Sequence, residues 1–453
     1  MVSADSLNLD VLELICSFLN NNDLAAVALV SKSFLAGAIP SLYRTLSFRV
    51  HHAKRYPSVS TSFAMILAHP NLAVHVRNID IRVVPLLMNK PHPDFVQECT
   101  RTLGLCNSLR SFVYTSKSVL IPSILPVLQG KEGLKKLRIY AKLSTTQASM
   151  LLKLDNVERL ELDSASWEVL DILPRWTQEM QKTLVSLTLS MSMDLNPQVL
   201  QMTLEHLPRL QGLHIICPET CIDHTEILKL VTYTPLLESL AFTVTEMTQP
   251  LDTNNPLPTP TLVHLRHLAL DVRSCFTASP STPETLLTVL TTLKAAFVSL
   301  TSITLRIREL TTEAGHALML QLVEDHAATL RRLTFVASGV EMRSISALCQ
   351  RCQSLEVLSM PLPMKEILAF SNALASSSTL HTLVDGDGHI AHGPRPALNI
   401  KNVGLLMQRV PTLTRIVDDK RLWIGQRDAR GQLRIKLERQ SVEPNAQWFM
   451  PPH

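Results

Sequence analysis

Side chains that could do chemistry are few in this sequence, and the most suggestive group lies in the middle of the chain. Four potential zinc ligands fall within eleven residues: His214, Cys217, Cys221 and His224. Zinc binds Cys and His tetrahedrally, but closure here would require a tight reversal that contains Pro218. We therefore interpret the group as loop residues with a buried cysteine, and we predict no metal site.

Two further groups are equally weak as sites. Cys349 and Cys352 end a predicted helix, whereas a reactive thiol is favoured at a helix N-terminus, so we expect buried apolar side chains. One polar loop lacks the remaining ligands of a calcium site; it contains Asp385, Asp387, His389 and His392. The sequence has no P-loop, nucleophile elbow or metalloprotease helix. We predict that the chain is not an enzyme and needs no cofactor.

The elements that position these side chains repeat along the chain. A Leu-x-x-Leu-x-Leu pattern returns about every 27 residues between Leu109 and Leu380. An amphipathic helical stretch precedes each copy, as at 312–330 and 364–374, so the strand and helix periods alternate. This pattern is typical of leucine-rich repeats. We predict an α/β fold, a leucine-rich-repeat solenoid with a parallel sheet inside and helices outside.

The concave face of such a sheet can be predicted, because side chains alternate across a strand. The leucines point into the core, and the intervening residues point away from it. Lys136, Arg138 and Arg159 would form a basic patch in the early repeats, suited to an acidic or phosphorylated target. The candidate target-binding residues are Lys136, Arg138, Tyr140, Arg159, His214, His267, Arg306 and Arg332.

Composition limits the other classes of partner. The net charge of +4, with 18% charged residues, is too small for the dense basic face that RNA or DNA requires, so nucleic acid is not expected. No apolar run is long enough to span a membrane. The eight cysteines are scattered and no N-glycosylation acceptor occurs. We expect a cytoplasmic or nuclear protein.

The first 48 residues differ from the repeats. Helix one, over 9–19, carries an apolar stripe wider than one partner helix needs. Asn22 or Asp23 would cap a second helix, and Pro40 would begin a third. A unit of about 45 residues cannot bury this much apolar surface by itself. We therefore expect a partner to cover the rest.

This segment resembles an F-box. The resemblance rests on LNLDVLELICSFL at 7–19, Asp23-Leu24, VSKSF at 30–34 and LYRTL at 42–46, with the repeats behind it as in F-box/leucine-rich-repeat proteins. It implies a three-helix domain that binds a Skp-type adaptor and, through it, a cullin scaffold. The residues implied to contact the adaptor are Leu7, Val11, Leu12, Ile15, Leu19, Leu24, Val30, Phe34 and Tyr43.

The predicted organisation has four parts: an F-box-like helical domain at 1–50, a linker at 51–65, the solenoid at 66–420, and a capping hairpin with a tail at 421–453. The function that the resemblance implies is target recognition for a Skp-cullin-F-box ubiquitin ligase in protein degradation, with the protein target unknown. The alternative is a non-ligase repeat scaffold whose N-terminal helices only cap the solenoid.

Overall fold

The computed structural model describes residues 7–117, 120–217, 222–244, 262–272, 286–287, 289–291, 300–307, 309–310, 313–336, 338–386, 398–419, 421–439 and 447–451. The chain divides into two compact units, Met1–Leu207 and Pro208–His453, called the first and second units below. None of the helices in these ranges is long and apolar enough to cross a membrane.

The first unit begins with three short helices, each capped by a polar side chain. Asn8, Asn20 and Ser31 accept hydrogen bonds from backbone N–H groups in the first turns that follow them. The helices of this unit are α1 (Leu9–Ser17), α2 (Asn21–Ala28), α3 (Lys32–Leu42), α4 (Val50–Ala53), α5 (Ser62–Ala68), α6 (Pro93–Leu105), α7 (Ile121–Leu128), α8 (Thr145–Leu151), α9 (Trp167–Glu179) and α10 (Pro197–Leu204), with a 3-10 turn at Pro70–His75.

The strands of the first unit form a parallel ladder in perfect repeat register. They are β1 (Thr45–Phe48), β2 (Asn78–Ile81), β5 (Ser111–Tyr114), β6 (Lys136–Tyr140), β7 (Arg159–Asp163) and β8 (Ser186–Ser190); the short pair β3 (Leu86–Leu87) and β4 (Lys90–Pro91) stands apart. Phe112 pairs with Leu137, Leu137 with Leu160 and Leu160 with Leu187, so equivalent residues of successive repeats stack in the core.

The second unit repeats this arrangement. Its strands are β9 (Gly212–Ile216), β10 (Ser239–Thr243), β11 (His267–Asp271), β12 (Ser302–Arg306), β13 (Glu309–Leu310), β14 (Arg332–Phe335), β15 (Gly339–Val340), β16 (Val357–Met360), β17 (Thr382–Asp385), β18 (Arg415–Asp418), β19 (Arg421–Arg427) and β20 (Leu433–Arg439). Its helices are α11 (His224–Leu230), α12 (Glu313–His326), α13 (Met342–Arg351), α14 (Ile367–Leu374) and α15 (Ile400–Arg409), with 3-10 turns at Val231–Tyr233 and Met364–Glu366.

The main ladder of the second unit is parallel from β9 to β18 and then reverses. Leu213 pairs with Leu240, Leu240 with Leu268 and Leu268 with Ile303, and all four side chains are buried. β19 pairs antiparallel with both β18 and β20. These ladders confirm the predicted fold class, because a parallel sheet that gains one strand per leucine-rich repeat is the defining feature of this solenoid.

The boundary between the helices and the repeats differs from the prediction. The third helix starts at Lys32 rather than at Pro40, which lies inside its last turn, because Ser31 supplies an N-cap. Residues 45–48, placed in the helical domain, form β1 and pair with β2. The last helix residues are thus followed at once by the first strand of the sheet.

Residues 51–65, predicted as a linker, are packed against the first repeats. Phe63 is fully buried, with its ring centroid 5.8 Å from that of Phe95. The Thr61 hydroxyl donates a hydrogen bond of 2.9 Å to a carboxylate oxygen of Glu98, and the Tyr56 ring stands edge-on to Phe95 at 5.7 Å. The polar sequence HHAKRYPSVS gave no sign of this packing, because the segment is anchored by single aromatic side chains rather than by a periodic apolar stripe.

Replacing Phe63 by alanine tests this packing. Removal of a buried Phe side chain costs about 3–5 kcal/mol, so Phe63→Ala should lower the urea midpoint of the first unit substantially. Val59→Ala, at a half-exposed position in the same segment, is the matched control and should cost under about 0.5 kcal/mol. Equal midpoints for the two variants would mean that the segment is a free tether.

Candidate protein-interaction surfaces

The three N-terminal helices expose many large apolar side chains. Phe18 and Leu29 are 82% and 89% exposed, and seven more large apolar side chains between residues 7 and 35 are at least 38% exposed. The nine are Leu7, Leu9, Val11, Leu14, Ile15, Phe18, Leu29, Val30 and Leu35. Large apolar patches of this kind on a folded unit mark sites of protein association. We call this set the helical face.

The residues predicted to contact an adaptor fall into three groups. Leu7, Val11, Ile15 and Val30 belong to the helical face. Half-buried side chains form the second group: Leu19, Phe34 and Tyr43. Leu12 and Leu24 are 1% and 2% exposed and lie inside the helical core, so their side chains are not available to a partner.

The core of the three helices explains why Leu12 and Leu24 turn inward. Cys16, Leu24 and Ala38 form one buried cluster. A Cβ added to Gly37 on α3 would lie 2.7 Å from the Leu12 Cβ, so α1 and α3 approach each other closely at this glycine. Inward-facing residues on one side leave the opposite side of α1 uncovered. Leu14 and Phe18 are exposed but were missed among the predicted adaptor contacts, although both belong to the wide apolar stripe at 9–19.

The predicted basic patch of the first unit is neutralised by carboxylates on the same sheet face. Lys136 Nζ lies 2.8 Å from a carboxylate oxygen of Glu161, and Arg138 Nε lies 2.9 Å from Asp163 and 3.5 Å from Glu161. Arg159 at the strand start is exposed. Four of these residues therefore form a mixed-charge network rather than a purely basic patch.

The network exists because β6 and β7 are in register. Arg138 pairs with Glu161 and Tyr140 with Asp163 across the parallel ladder, so opposite charges stand side by side on one face. Burial raises the pKa of the Asp163 carboxyl, while the nearby Arg138 guanidinium opposes that shift. Half-buried Tyr140 lines the same face.

The concave face of the second unit is occupied by the end of the chain. Residues 447–451, called the tail here, form a turn in which the Met450 N–H donates to the Gln447 carbonyl at 3.0 Å. Phe449 is only 4% exposed and packs in a pocket lined by Ile216, Ala241 and Ala269. Burial of a Phe side chain stabilises a contact by about 1.5–3 kcal/mol.

The pocket is a consequence of small residues at equivalent positions of neighbouring repeats. The ladder places His214, Ala241, Ala269 and Thr304 in one row across four strands. Two adjacent alanines make a depression between larger neighbours, and the Phe449 ring enters it with its centroid 5.6 Å from that of His214. We call this depression the alanine pocket.

His267 fixes the backbone of the tail. Its Nε2 lies 3.0 Å from the Phe449 carbonyl oxygen, and its Nδ1 lies 3.0 Å from Ser302 Oγ. Because a carbonyl oxygen can only accept, Nε2 carries the proton; in the neutral ring Nδ1 then accepts from the Ser302 hydroxyl. His267, a predicted target-binding residue, is therefore buried beneath the tail rather than free on the face.

Both histidines of this face are held neutral. Burial lowers the pKa of His214 to about 3, with a smaller effect of His267 in the same direction. Burial also lowers the pKa of His267 to about 4; the hydrogen bond with Phe449 opposes the shift and the charge of Arg332 adds to it. Half-buried Arg332 thus acts on the site electrostatically.

Arg306 completes the contact with the tail. Its guanidinium carbon lies 5.2 Å from the Trp448 ring centroid, a cation–π geometry, and its Nη1 lies 3.4 Å from a carboxylate oxygen of Asp271. Three residues predicted to bind a target, His214, His267 and Arg306, are thus brought together. The sequence named them from their place on the strands but could not show that the tail covers them.

Among the residues that the structure describes, no three His, Cys, Asp or Glu side chains are grouped so that they could hold a metal ion. Burial raises the pKa of Cys349 to about 12 and of Cys352 to about 11, so both thiols stay protonated at neutral pH. His214 is bonded to Ser239, and His224 lies beside Asp223. Cys221 and the predicted loop residues Asp387, His389 and His392 lie outside the described residues.

Removing the carboxylates should expose the basic character of the first unit. Glu161→Gln/Asp163→Asn removes the carboxylates that lie beside Lys136 and Arg138, so heparin should retain the variant to a higher salt concentration than the natural protein. Glu132→Gln/Asp155→Asn changes the net charge equally at exposed positions and serves as the control. Identical elution of the two variants would contradict the neutralised network.

Acid should release the tail from the second unit. The tail has no titratable side chain. Burial lowers the pKa of both histidines below 6.5, although the Phe449 carbonyl raises that of His267, so the buried arrangement of this face is fully favoured above pH 6.5 and weakens as pH falls toward 4. The measurement is Trp448 emission, taken as the difference between the natural protein and Trp448→Phe.

The variant His214→Gln/His267→Gln is the control for this titration, because glutamine keeps hydrogen-bonding groups and does not titrate. Its Trp448 signal should be constant over the same range while far-UV circular dichroism stays unchanged. Asp271, Arg306 and Arg332 are also near the tail, so a transition that survives in this control would assign the pH response to them instead.

Comparisons with known proteins found distant structural similarities but no related sequence. No known protein family matches the sequence, and no curated protein is similar to it. The leucine-rich repeat-containing protein LegL7 from Legionella pneumophila is 15% identical, covering 72% of this chain and 98% of its own, with a TM-score of 0.43. A chain of the yeast Rad7 and Elc1 complex is 15% identical, covering 78% and 87%, with a TM-score of 0.43. Because both scores are below 0.5, the assignment rests on the strand ladders.

Proposed function

We propose that this chain is the target-recognition subunit of a Skp-cullin-F-box ubiquitin ligase. The three N-terminal helices would bind a Skp-type adaptor, which connects to a cullin scaffold, and the repeats would bind a protein target. The single observation that carries the proposal is the helical face, nine large apolar side chains exposed on one small unit. Its place at the segment that resembles an F-box supports a Skp-type adaptor as the partner.

The composition of the helical face favours a partner with an apolar surface. Phe18, Leu29 and Val30 are each at least 67% exposed. α1 carries acidic residues in Asp10 and Glu13 and no basic ones. Aromatic and apolar anchors at the centre of an interface carry most of its binding free energy, and polar groups surround them. The helical face has this composition before any partner is bound.

The mechanism would be proximity rather than catalysis. The chain would hold the adaptor at one end and a target on the repeats, so that a ubiquitin-charged enzyme supplied by other subunits acts on a neighbouring lysine. The described cysteines, which could otherwise accept ubiquitin as a thioester, are all buried. We further propose a cytoplasmic or nuclear location, where such ligases act.

The alternative function is a repeat scaffold in which the helices cap the sheet. α3 contacts the turn Pro70–His75, and β1 continues from α3 into the ladder, which favours a capping contribution. A cap, however, turns its apolar residues toward the repeats. Phe18 and Leu29 are exposed instead, so capping by α3 and adaptor binding by α1 and α2 are compatible.

The decisive experiment is co-purification with a Skp-type adaptor. Ile15→Asp/Phe18→Asp should weaken capture about a hundredfold or more, because two apolar anchors are lost and two charges must be desolvated. Both side chains are exposed, at 45% and 82%, so the variant should fold normally. The readout is the amount of adaptor recovered at 1:1 stoichiometry with the natural chain.

Leu368→Asp is the matched control, because Leu368 is 62% exposed on α14 in the second unit. It introduces a charge at an equally open apolar position and should leave adaptor capture unchanged. Failure of the natural chain to capture any Skp-type adaptor, or equal capture by both variants, would overturn the proposal and leave the scaffold reading in its place.

A further inference from the structure

The alanine pocket has the features of a peptide-binding site rather than of an ordinary crevice. The Phe449 ring enters the pocket, and only 4% of this residue remains exposed. Ile216, Ala241 and Ala269 supply the apolar walls. The tail that fills the pocket is the last described segment of the chain. Its Phe449 lies 182 residues after His267, the histidine to which it is bonded.

Recognition of the tail combines three independent contacts. The pocket selects an aromatic side chain by shape, His267 binds the carbonyl of that same residue, and Arg306 stacks on the preceding indole. Trp448 and Phe449 stand at 88° to each other with centroids 5.5 Å apart, so the two rings point in different directions. A short turn with two adjacent aromatic residues therefore satisfies every contact.

None of these contacts depends on the tail being part of this chain. His267 binds a backbone carbonyl, which every peptide has, and its other ring nitrogen is bonded to Ser302 on the neighbouring strand. The walls come from three adjacent strands whose positions the ladder fixes. The site is thus built by the sheet, and the tail is its occupant.

We propose that the alanine pocket, with His267 and Arg306 at its edge, is the target-binding site of the repeats and binds a turn with adjacent Trp and Phe residues in a partner protein. Residues 447–451 occupy the site in cis and are displaced by the partner segment. This proposal rests on the proposed function and extends it, because it identifies where the repeats bind a target and which residues of the target they recognise. It is tested without the adaptor, so the two proposals fail separately.

The tail competes strongly because it is tethered. Seven residues of sequence separate β20 from the tail, and short tethers in general give effective concentrations on the order of millimolar. A free peptide of the same sequence therefore meets a site that is mostly filled. Removing the tail should therefore let the free peptide bind the pocket with its full affinity.

The test uses a fluorescent peptide of residues 444–453, PNAQWFMPPH, and the chain shortened to end at residue 446. Fluorescence anisotropy should show that the shortened chain binds this peptide at least tenfold more tightly than the full chain does. A peptide with Phe449→Ala should bind at least tenfold more weakly. The full chain with Phe449→Ala provides an emptied pocket with the tail retained, should the shortened chain fail to fold.

Two variants of the protein locate the binding. Ala269→Leu fills the pocket and should abolish binding of the peptide to the shortened chain. Thr334→Leu, in the same row two strands away, is the matched control and should bind normally. Circular dichroism verifies that both variants are folded.

A displayed library of random peptides tests the partner class. The shortened chain should select peptides with adjacent aromatic residues, and the Ala269→Leu variant should select none of them. The proposal is overturned by absence of peptide binding in trans, by equal binding of the Phe449→Ala peptide, or by a library without aromatic enrichment; in each case the tail is only a structural strap.

Discussion

Each repeat of this chain depends on its neighbours, because one strand and one helix cannot enclose their own leucines. Within each unit the ladder stacks equivalent apolar residues, such as Leu213, Leu240 and Leu268, into continuous buried rows. That constraint fixes which way every strand residue points. The intervening residues point away from the leucine core. They form rows on the opposite face of the sheet, and these rows determine what the repeats can bind.

The periodic part of the architecture was predictable from the sequence because burial imposes the period. The strand register and the fold class follow from the leucines alone. Single-residue features were not predictable: Ser31 caps α3, and Phe63 anchors the segment predicted as a linker. Both act through one side chain, which a pattern of spacing cannot reveal.

The positions of the candidate site residues on the sheet were predictable, but the partners that pair with them or cover them were not. The strand pattern places Lys136 and Arg138 on the concave face, yet their charges are balanced by Glu161 and Asp163 across the ladder. His267 was likewise placed on that face, and the tail that covers it comes from the far end of the sequence. Contacts between residues distant in sequence depend on the register of the folded sheet. The sequence therefore identifies the residues on this face but not the residues that contact them.

Two interaction surfaces of different character emerge from these constraints. The helical face is large, apolar and open, with Phe18 at its most exposed point. The alanine pocket is small, shaped for one ring, and already filled by Phe449. An open apolar surface suits a constitutive partner, whereas a filled pocket suits a partner that must compete for its place.

The central claim is that the helical face is uncovered in the free chain and covered in the adaptor complex. Hydroxyl-radical footprinting with mass spectrometry measures this directly, since oxidation of a side chain follows its exposure. The account predicts rapid oxidation of Phe18 and Leu29 in the free chain and strong protection of both in the complex, with Phe449 protected throughout. Equal oxidation of Phe18 with and without the adaptor would contradict it.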